Sequence, residues 1–93
     1  MQNDTYARWA NVLKTMGHPV RIRIIEALLE DGKCVTKIGG CLDLPQATVS
    51  QHLSLLRGKG IVQQERCGSQ VKYSICDRNI EEIIKMIKGV ELT

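Results

Sequence analysis

The sequence predicts a mainly α-helical domain that carries one β-hairpin, in the order helix, helix, helix, helix, strand, strand, helix. Two patterns predict it. Apolar residues recur every three or four positions before residue 57 and again after residue 77, as in amphipathic helices. Between these stretches, apolar and polar residues alternate on both sides of Gly68-Ser69, which indicates two strands joined by a tight turn. A length of 93 residues suits one domain, which is therefore expected to span 1–93.

The first two helices are separated by a break in the apolar pattern at Gly17-His18. The first helix is expected over about 4–16. The second is expected to begin at Pro19, because the N–H that proline lacks is not needed in the first turn of a helix. Its two arginines, Arg21 and Arg23, are expected to point away from the core. Its buried stripe is expected to consist of Ile22, Ile25, Leu28 and Leu29.

Two short helices follow, over about 36–42 and 46–57, with a turn around Leu44-Pro45 between them. This is the spacing of a helix-turn-helix, and the hairpin over about 61–76 comes directly after it. A last helix is expected over 77–90. The order therefore predicts a winged helix-turn-helix. In the fourth helix, the residues expected to dock on the core are Val49, Leu53 and Leu56, at positions i, i+4 and i+7.

Three segments resemble the ArsR/SmtB family of bacterial winged-helix repressors: LKTMGHPVRIRIIEALL, LPQATVSQHLSLLRGKGIV and RCGSQVKYSI. They lie within residues 12–76, which is most of the chain. The second segment is the most restrictive, because a Ser-Gln-His-Leu run followed by Leu-Arg-x-x-Gly demands more than hydrophobic spacing. The resemblance implies a transcriptional repressor that binds double-stranded DNA as a dimer, paired through its first and last helices.

The polar side of the fourth helix fits a DNA groove. A major groove admits one helix, and glutamine, serine and threonine can read its base edges. Four cations in and after this helix, opposed by Glu65 alone within residues 45–75, would hold the phosphates. His52 is equally compatible with a hydrogen-bonded packing role. The residues predicted to contact DNA are Gln46, Ala47, Thr48, Ser50, Gln51, His52, Arg57, Arg66, Ser69, Gln70 and Lys72.

The outer helices carry more apolar surface than one small core requires, which predicts a homodimer. A two-fold symmetric protein matches a palindromic operator, with one recognition helix on each half-site. The alternative is that these stripes complete the core of the monomer. The residues predicted to form the dimer interface are Tyr6, Trp9, Leu13, Ile83, Ile84 and Ile87.

Four cysteines suggest a chemical signal, although no CxxC pair occurs. Family members release DNA when a metal, arsenite or a thiol modification arrives. The arsenic-type C-V-C site is incomplete, because this chain has Cys34-Val35-Thr36, and the zinc-type site on the last helix lacks histidine. We therefore predict a thiol-reactive or soft-metal or metalloid switch that uses Cys34 and Cys41, with Cys76 as a further candidate, and assign no metal or cofactor. The alternative is that the cysteines are small apolar packing residues.

Other classes of function fit less well. His18 and His52 are the only histidines, and no motif of a catalytic site occurs, so an enzyme is not expected. Three aromatic residues are too few for a surface that stacks single-stranded bases. The N-terminus lacks a signal-peptide pattern and no apolar run could span a membrane, which predicts a cytoplasmic protein. Two alternatives stay open: a winged-helix module for protein interaction, and a DNA binder without an inducer site.

Overall fold

The computed structural model describes residues 1–31 and 42–90. These residues form four helices and one two-stranded antiparallel sheet: α1 (Asn3–Met16), α2 (Pro19–Asp31), α3 (Gln46–Gly58), β1 (Val62–Cys67), β2 (Gln70–Ile75) and α4 (Arg78–Lys88). The predicted short helix over about 36–42 lies outside the described residues except for its last position. The other predicted elements are confirmed, each within a few residues at either end.

The core is centred on the contact between α2 and α3. Val49, Leu53 and Leu56 of α3 are each 0% exposed, as their spacing predicts. They pack in one cluster with Ile24 and Ile25 of α2, which are also fully buried. The prediction missed Ile24, because two adjacent residues of a helix differ by about 100° in direction and only a wide buried face accommodates both. The predicted residues Ile22 and Leu29 are partly buried at the margin of this face.

The outer helices α1 and α4 cover the core from one side. In α1 the buried residues are Val12, Thr15 and Met16, and the Thr15 hydroxyl donates a hydrogen bond to the carbonyl oxygen of Asn11 at 2.8 Å. Asp77 caps α4, since its side chain accepts a hydrogen bond from the N–H of Asn79 at 2.8 Å, and a carboxylate oxygen of Asp77 also accepts one from Arg8 Nη2 at 3.4 Å. The cap thus ties the start of α4 to α1.

Glycine is required at the end of α3. The chain reverses at Gly60, which has φ +72°, and the N–H of Gly60 bonds to the carbonyl of Arg57 at 3.0 Å. The N–H of Ile61 bonds to the carbonyl of Leu56 at 3.0 Å, and both side chains are fully buried. This is a Schellman motif with its hydrophobic contact. It fixes the direction in which the chain leaves α3 and enters the hairpin.

The hairpin has the predicted two-residue turn, since Cys67 pairs with Gln70 across Gly68-Ser69. Gly68 has φ +65°, which suits the first turn position of a type II′ hairpin. Side chains alternate across the two strands. One face carries the buried Val62 and Tyr73, and the other carries exposed residues that include Lys72.

Candidate nucleic-acid interface

The polar side of α3 lies at the surface, opposite its buried apolar side. Gln46, Ala47 and Gln51 are exposed, whereas Thr48 and Ser50 are half-buried. The arrangement follows from helical periodicity, because the residues that dock on the core recur every three or four positions and leave the others outside. On the side of α3 that the sequence predicts to meet DNA, Gln46, Ala47 and Gln51 therefore remain accessible to a ligand.

The start of α3 leaves backbone N–H groups without an intrahelical partner. Pro45 precedes the helix and makes no side-chain cap, and the first intrahelical bond runs from the N–H of Val49 to the carbonyl of Pro45 at 3.2 Å. A helix N-terminus of this kind favours an anion such as a phosphate. The turn just before it contains Asp43 at φ 56°, a left-handed conformation that aspartate tolerates better than most side chains do.

Exposed cationic side chains lie on two elements, α3 itself and the hairpin. Arg57 and Lys59 stand at the C-terminal end of α3, and Arg66 and Lys72 stand on the hairpin. The only acidic residue of the hairpin strands, Glu65, faces Lys72 across them. Ser69 and Gln70 at the tip are exposed as well. The predicted phosphate contacts are thus all accessible, although the register partly offsets the charge of Lys72.

His52 belongs to a cluster that joins three helices, and it differs in this from its neighbours on α3. The Arg21 side chain donates from Nε to His52 Nδ1 at 3.3 Å and from Nη1 to the carbonyl oxygen of Thr15 at 3.0 Å. The imidazole rings of His18 and His52 lie 4.9 Å apart, centroid to centroid, at an angle of 51°. We call His18, Arg21 and His52, with the Thr15 carbonyl, the His52 cluster.

The environment of His52 favours its neutral form. Burial, followed by the neighbouring His18 and the Arg21 guanidinium, lowers the pKa of His52 below its ordinary value of 6.5. A neutral imidazole with its proton on Nε2 can accept from Arg21 on Nδ1. Of the two roles that the sequence left open for His52, the geometry supports the packing role. A contact with DNA through this residue stays a prediction.

Arg21 lies outside the apolar core, as expected, but its side chain is half-buried between helices. Its guanidinium reaches back to the end of α1 and across to α3, and the guanidinium of Arg23 donates to the carbonyl of Leu42 at 3.3 Å. A sequence signal was present. His18 and Arg21 are three residues apart at the start of a helix, a spacing that places both on one face.

The thiols that the structure describes are exposed and far apart. Cys67 ends β1 at the hairpin tip, whereas Cys76 follows β2 at the open end, so they are separated by about 20 Å at 3.3 Å per residue. Burial and the nearby Asp77 carboxylate raise the pKa of the Cys76 thiol, which lowers its thiolate fraction. Cys34 and Cys41 lie outside the described residues. Within residues 1–31 and 42–90, no three His, Cys, Asp or Glu side chains are grouped to hold a metal ion.

The outer face of α1 and α4 is largely apolar. Tyr6 is 58% exposed, Leu13 is 51% and Ile87 is 45%. Trp9 and Ile83 are half-buried and line a shallow groove. Ile84 does not belong to this surface. It is 1% exposed and packs in the core of the single chain, so its side chain is not available to contact a partner subunit. That part of the predicted dimer interface needs correction.

Among the described residues, no helix has the length and hydropathy needed to cross a membrane.

Comparison with known proteins places the chain in a family. The family model described as "Bacterial regulatory protein, arsR family" matches residues 18–64. The transcriptional repressor PagR of Bacillus anthracis is 42% identical over 83 residues, which are 88% of this chain and 83% of PagR. The transcriptional repressor SmtB of Mycobacterium tuberculosis is 38% identical over 73 residues, which are 78% of this chain and 54% of SmtB.

The fold is shared with a solved relative. The crystal structure of PagR superposes with a TM-score of 0.86 at 40% identity, covering 92% of this chain and 99% of that chain. The chain therefore belongs to the arsR family of bacterial regulatory proteins and is a DNA-binding transcriptional regulator with a winged helix-turn-helix fold.

Proposed function

We propose that the protein is a homodimeric repressor in the cytoplasm that binds a palindromic double-stranded operator and inserts α3 of each subunit into the major groove. One observation carries the proposal. The apolar side of α3 is fully buried by Val49, Leu53 and Leu56, while Gln46 and Gln51 on the other side are exposed. Amide side chains in these positions can make paired hydrogen bonds to adenine, or single ones to other base edges.

The hairpin supplies contacts of another kind. Arg66 and Lys72 are exposed on its strands, and Arg57 and Lys59 extend the cationic surface to the end of α3. Lysine and arginine bind phosphates of any sequence and so fix the position of the protein on the duplex. Readout of bases is thus assigned to α3, and attachment to the backbone is assigned to the hairpin and to the uncapped start of α3. Both kinds of contact serve DNA binding by a transcriptional regulator, and neither is assigned a catalytic role.

The apolar outer face supports the dimer. Several apolar side chains are exposed on α1 and α4, and a second copy of the chain would cover them. The residues that we assign to the interface are Tyr6, Trp9, Leu13, Ile83 and Ile87, of which three are exposed by 45% or more. Two subunits joined along these helices present two copies of α3, which a palindromic site requires.

We also propose that a chemical signal releases the protein from DNA. We assign it to Cys34 and Cys41, and Cys76 is a further candidate, with a raised thiol pKa that lowers its thiolate fraction. A soft metal or metalloid, or a thiol oxidant, would be the inducer. The measurement that checks it is the affinity of the reduced protein for DNA before and after arsenite, cadmium or polysulfide is added. An affinity that none of the three alters would favour a DNA binder without an inducer site.

Gln51→Ala and Lys72→Ala are expected to weaken DNA binding in different ways. The probe is a duplex selected from a random library by the unmodified protein, together with versions of it that carry single base-pair changes. Loss of a base contact at Gln51 should abolish discrimination at one base pair, at a cost of about 1–3 kcal/mol. Loss of a phosphate contact at Lys72 should weaken binding to all duplexes alike and reduce the slope of log K against log salt by about 1.

Lys14→Ala is the matched control, because it removes the same charge from an exposed position on α1. It should leave the salt slope within error of the unmodified protein. The proposal is wrong if no duplex is enriched in the selection, or if affinity for the enriched duplex does not depend on salt. The first result would favour a winged-helix module for protein interaction.

A further inference from the structure

The His52 cluster connects α3, the helix proposed to read DNA, to α1 and α2. Arg21, in the first turn of α2, bonds His52 on α3 through Nε at 3.3 Å and the Thr15 carbonyl near the end of α1 through Nη1 at 3.0 Å. The guanidinium is planar and its donors have fixed directions. Arg21 therefore sets a defined relation between α3 and the rest of the domain.

His18 is the third side chain of the cluster. Its ring contacts the ring of His52 at a centroid distance of 4.9 Å. Its Nδ1 accepts a hydrogen bond from the N–H of Val20 at 3.1 Å, which fixes the ring over the start of α2. The His52 imidazole is thus held by a hydrogen bond to Nδ1 and by a ring contact.

The position of His52 on α3 gives this bond a consequence for recognition. His52 lies between Gln51, which is exposed, and Leu53, which is fully buried, and successive residues of a helix differ by about 100° in direction. Apolar contacts such as those of Leu53 are not directional, so they seat α3 without fixing its rotation sharply. A hydrogen bond is directional and weakens steeply when it is misaligned.

We propose that Arg21 is a positioning residue for DNA recognition, which holds α3 in the rotation that presents Gln51 to the bases and does so only while His52 is neutral. The inference rests on the proposed function, in which α3 reads the major groove. Arg21 itself needs no contact with DNA. It acts through His52.

Protonation would break the contact for a chemical reason. A proton added to Nδ1 of His52 faces the N–H of Arg21, so a hydrogen bond becomes a repulsion between two cations. The charged or titratable groups that contact His52 in the described chain are Arg21 from α2 and His18 just before it. The Thr15 carbonyl of α1 accepts from Arg21 and not from His52. Glu65 and Arg66 of β1 are exposed and make no bond to it.

The sign of the pH effect distinguishes this role from a direct contact. Because burial and the cationic neighbours lower the pKa of His52, the unfolded chain takes up its proton at higher pH than the native chain does. The arrangement is therefore intact above pH 6.5 and is lost as the pH falls through the native pKa. A histidine that held a phosphate as a cation would behave oppositely, and acid would strengthen binding.

The test compares three proteins on the selected duplex from pH 8 down to the lowest pH at which circular dichroism shows that they are folded. In the unmodified protein, affinity should fall by about tenfold, the usual effect of losing one hydrogen bond to a charged group. His52→Asn keeps an oxygen acceptor near the position of Nδ1 and cannot titrate. Its own affinity at pH 8 is the reference for its pH series, and along that series the pH response should be lost. His18 is present in both proteins, so a pH response that persists in His52→Asn would come from His18 or from other groups.

Arg21→Met supplies the second readout. It removes both hydrogen bonds and retains the length of the side chain, and it should reduce discrimination at the base pair that Gln51 reads. Circular dichroism at each pH verifies that each protein is folded. If Arg21→Met does not fold, the pH profile of His52→Asn decides by itself.

The inference is overturned if His52→Asn and the unmodified protein respond to pH alike, or if acid strengthens binding only in the unmodified protein. It is also overturned if folded Arg21→Met discriminates between duplexes as the unmodified protein does. Failure of the proposed function gives another result, because no duplex would then be selected at pH 8.

Discussion

Leu53→Ala is expected to lower the free energy of unfolding by about 2–5 kcal/mol. Leu53 is 0% exposed and lies in the cluster where α2, α3 and the hairpin meet, so truncation leaves a cavity among well-packed neighbours. Urea denaturation followed by circular dichroism measures the change. For a domain of 93 residues this is a large part of the total stability, and the protein should be partly unfolded at physiological temperature.

Leu55→Ala is the matched control for this change. Leu55 is two residues further along α3, on the side that faces solvent, and is 38% exposed. The same chemical change should cost less there, about 1 kcal/mol, because Leu55 lies at the surface and its truncation leaves no enclosed cavity. Equal costs at the two positions would mean that α3 is not seated by its apolar side, and the assignment of its polar side to DNA would lose its basis.

Ile87→Glu is expected to convert the dimer to a monomer and to lower affinity for a palindromic duplex by about a hundredfold or more. The side chain lies on the apolar outer face and is 45% exposed in the single chain, so the substitution leaves the core intact. In the dimer, however, a carboxylate would be buried without a partner on both sides of the two-fold axis. Light scattering after size-exclusion chromatography gives the mass, and titration with the duplex gives the affinity.

Leu55→Glu serves as the control for oligomeric state, since it introduces the same carboxylate at an exposed apolar position on α3. It should leave the mass of the dimer unchanged. If Ile87→Glu stays dimeric, the two subunits meet elsewhere, and the apolar outer face needs another explanation. A loss of mass without a loss of affinity would show that one subunit is enough to bind the duplex.

The sequence was sufficient to predict the elements that present the site. The helix Gln46–Gly58 and its three buried residues follow from periodicity within one segment, and the hairpin follows from alternation around Gly68. The reason is that each of these patterns is local, and the neighbouring element only has to cover an apolar side that already exists. The family resemblance added the role of the elements, and the match over residues 18–64 confirms the family.

Features that depend on several elements could not be predicted. Ile84 and Ile87 belong to one apolar stripe of α4, yet the first is buried in the core and the second is exposed. The apolar stripe of α4 is wider than the part of it that α2 and β2 cover. A single sequence does not show which residues of the stripe lie beyond that contact. The hydrogen bonds of Arg21 could not be predicted for a related reason, because its partners, Thr15 and His52, lie on two other helices.

The most direct test of the central claim, that α3 reads DNA while its apolar side stays in the core, is a map of backbone amide chemical shifts. The unlabelled selected duplex is added to ¹⁵N-labelled protein at pH 8. We expect the largest changes at the exposed polar side of α3, at Gln46, Thr48 and Gln51, and at the hairpin tip. The exposed residues of the outer face, Tyr6 and Leu13, should change little. Large changes on the outer face, with α3 and the hairpin unaffected, would contradict the account.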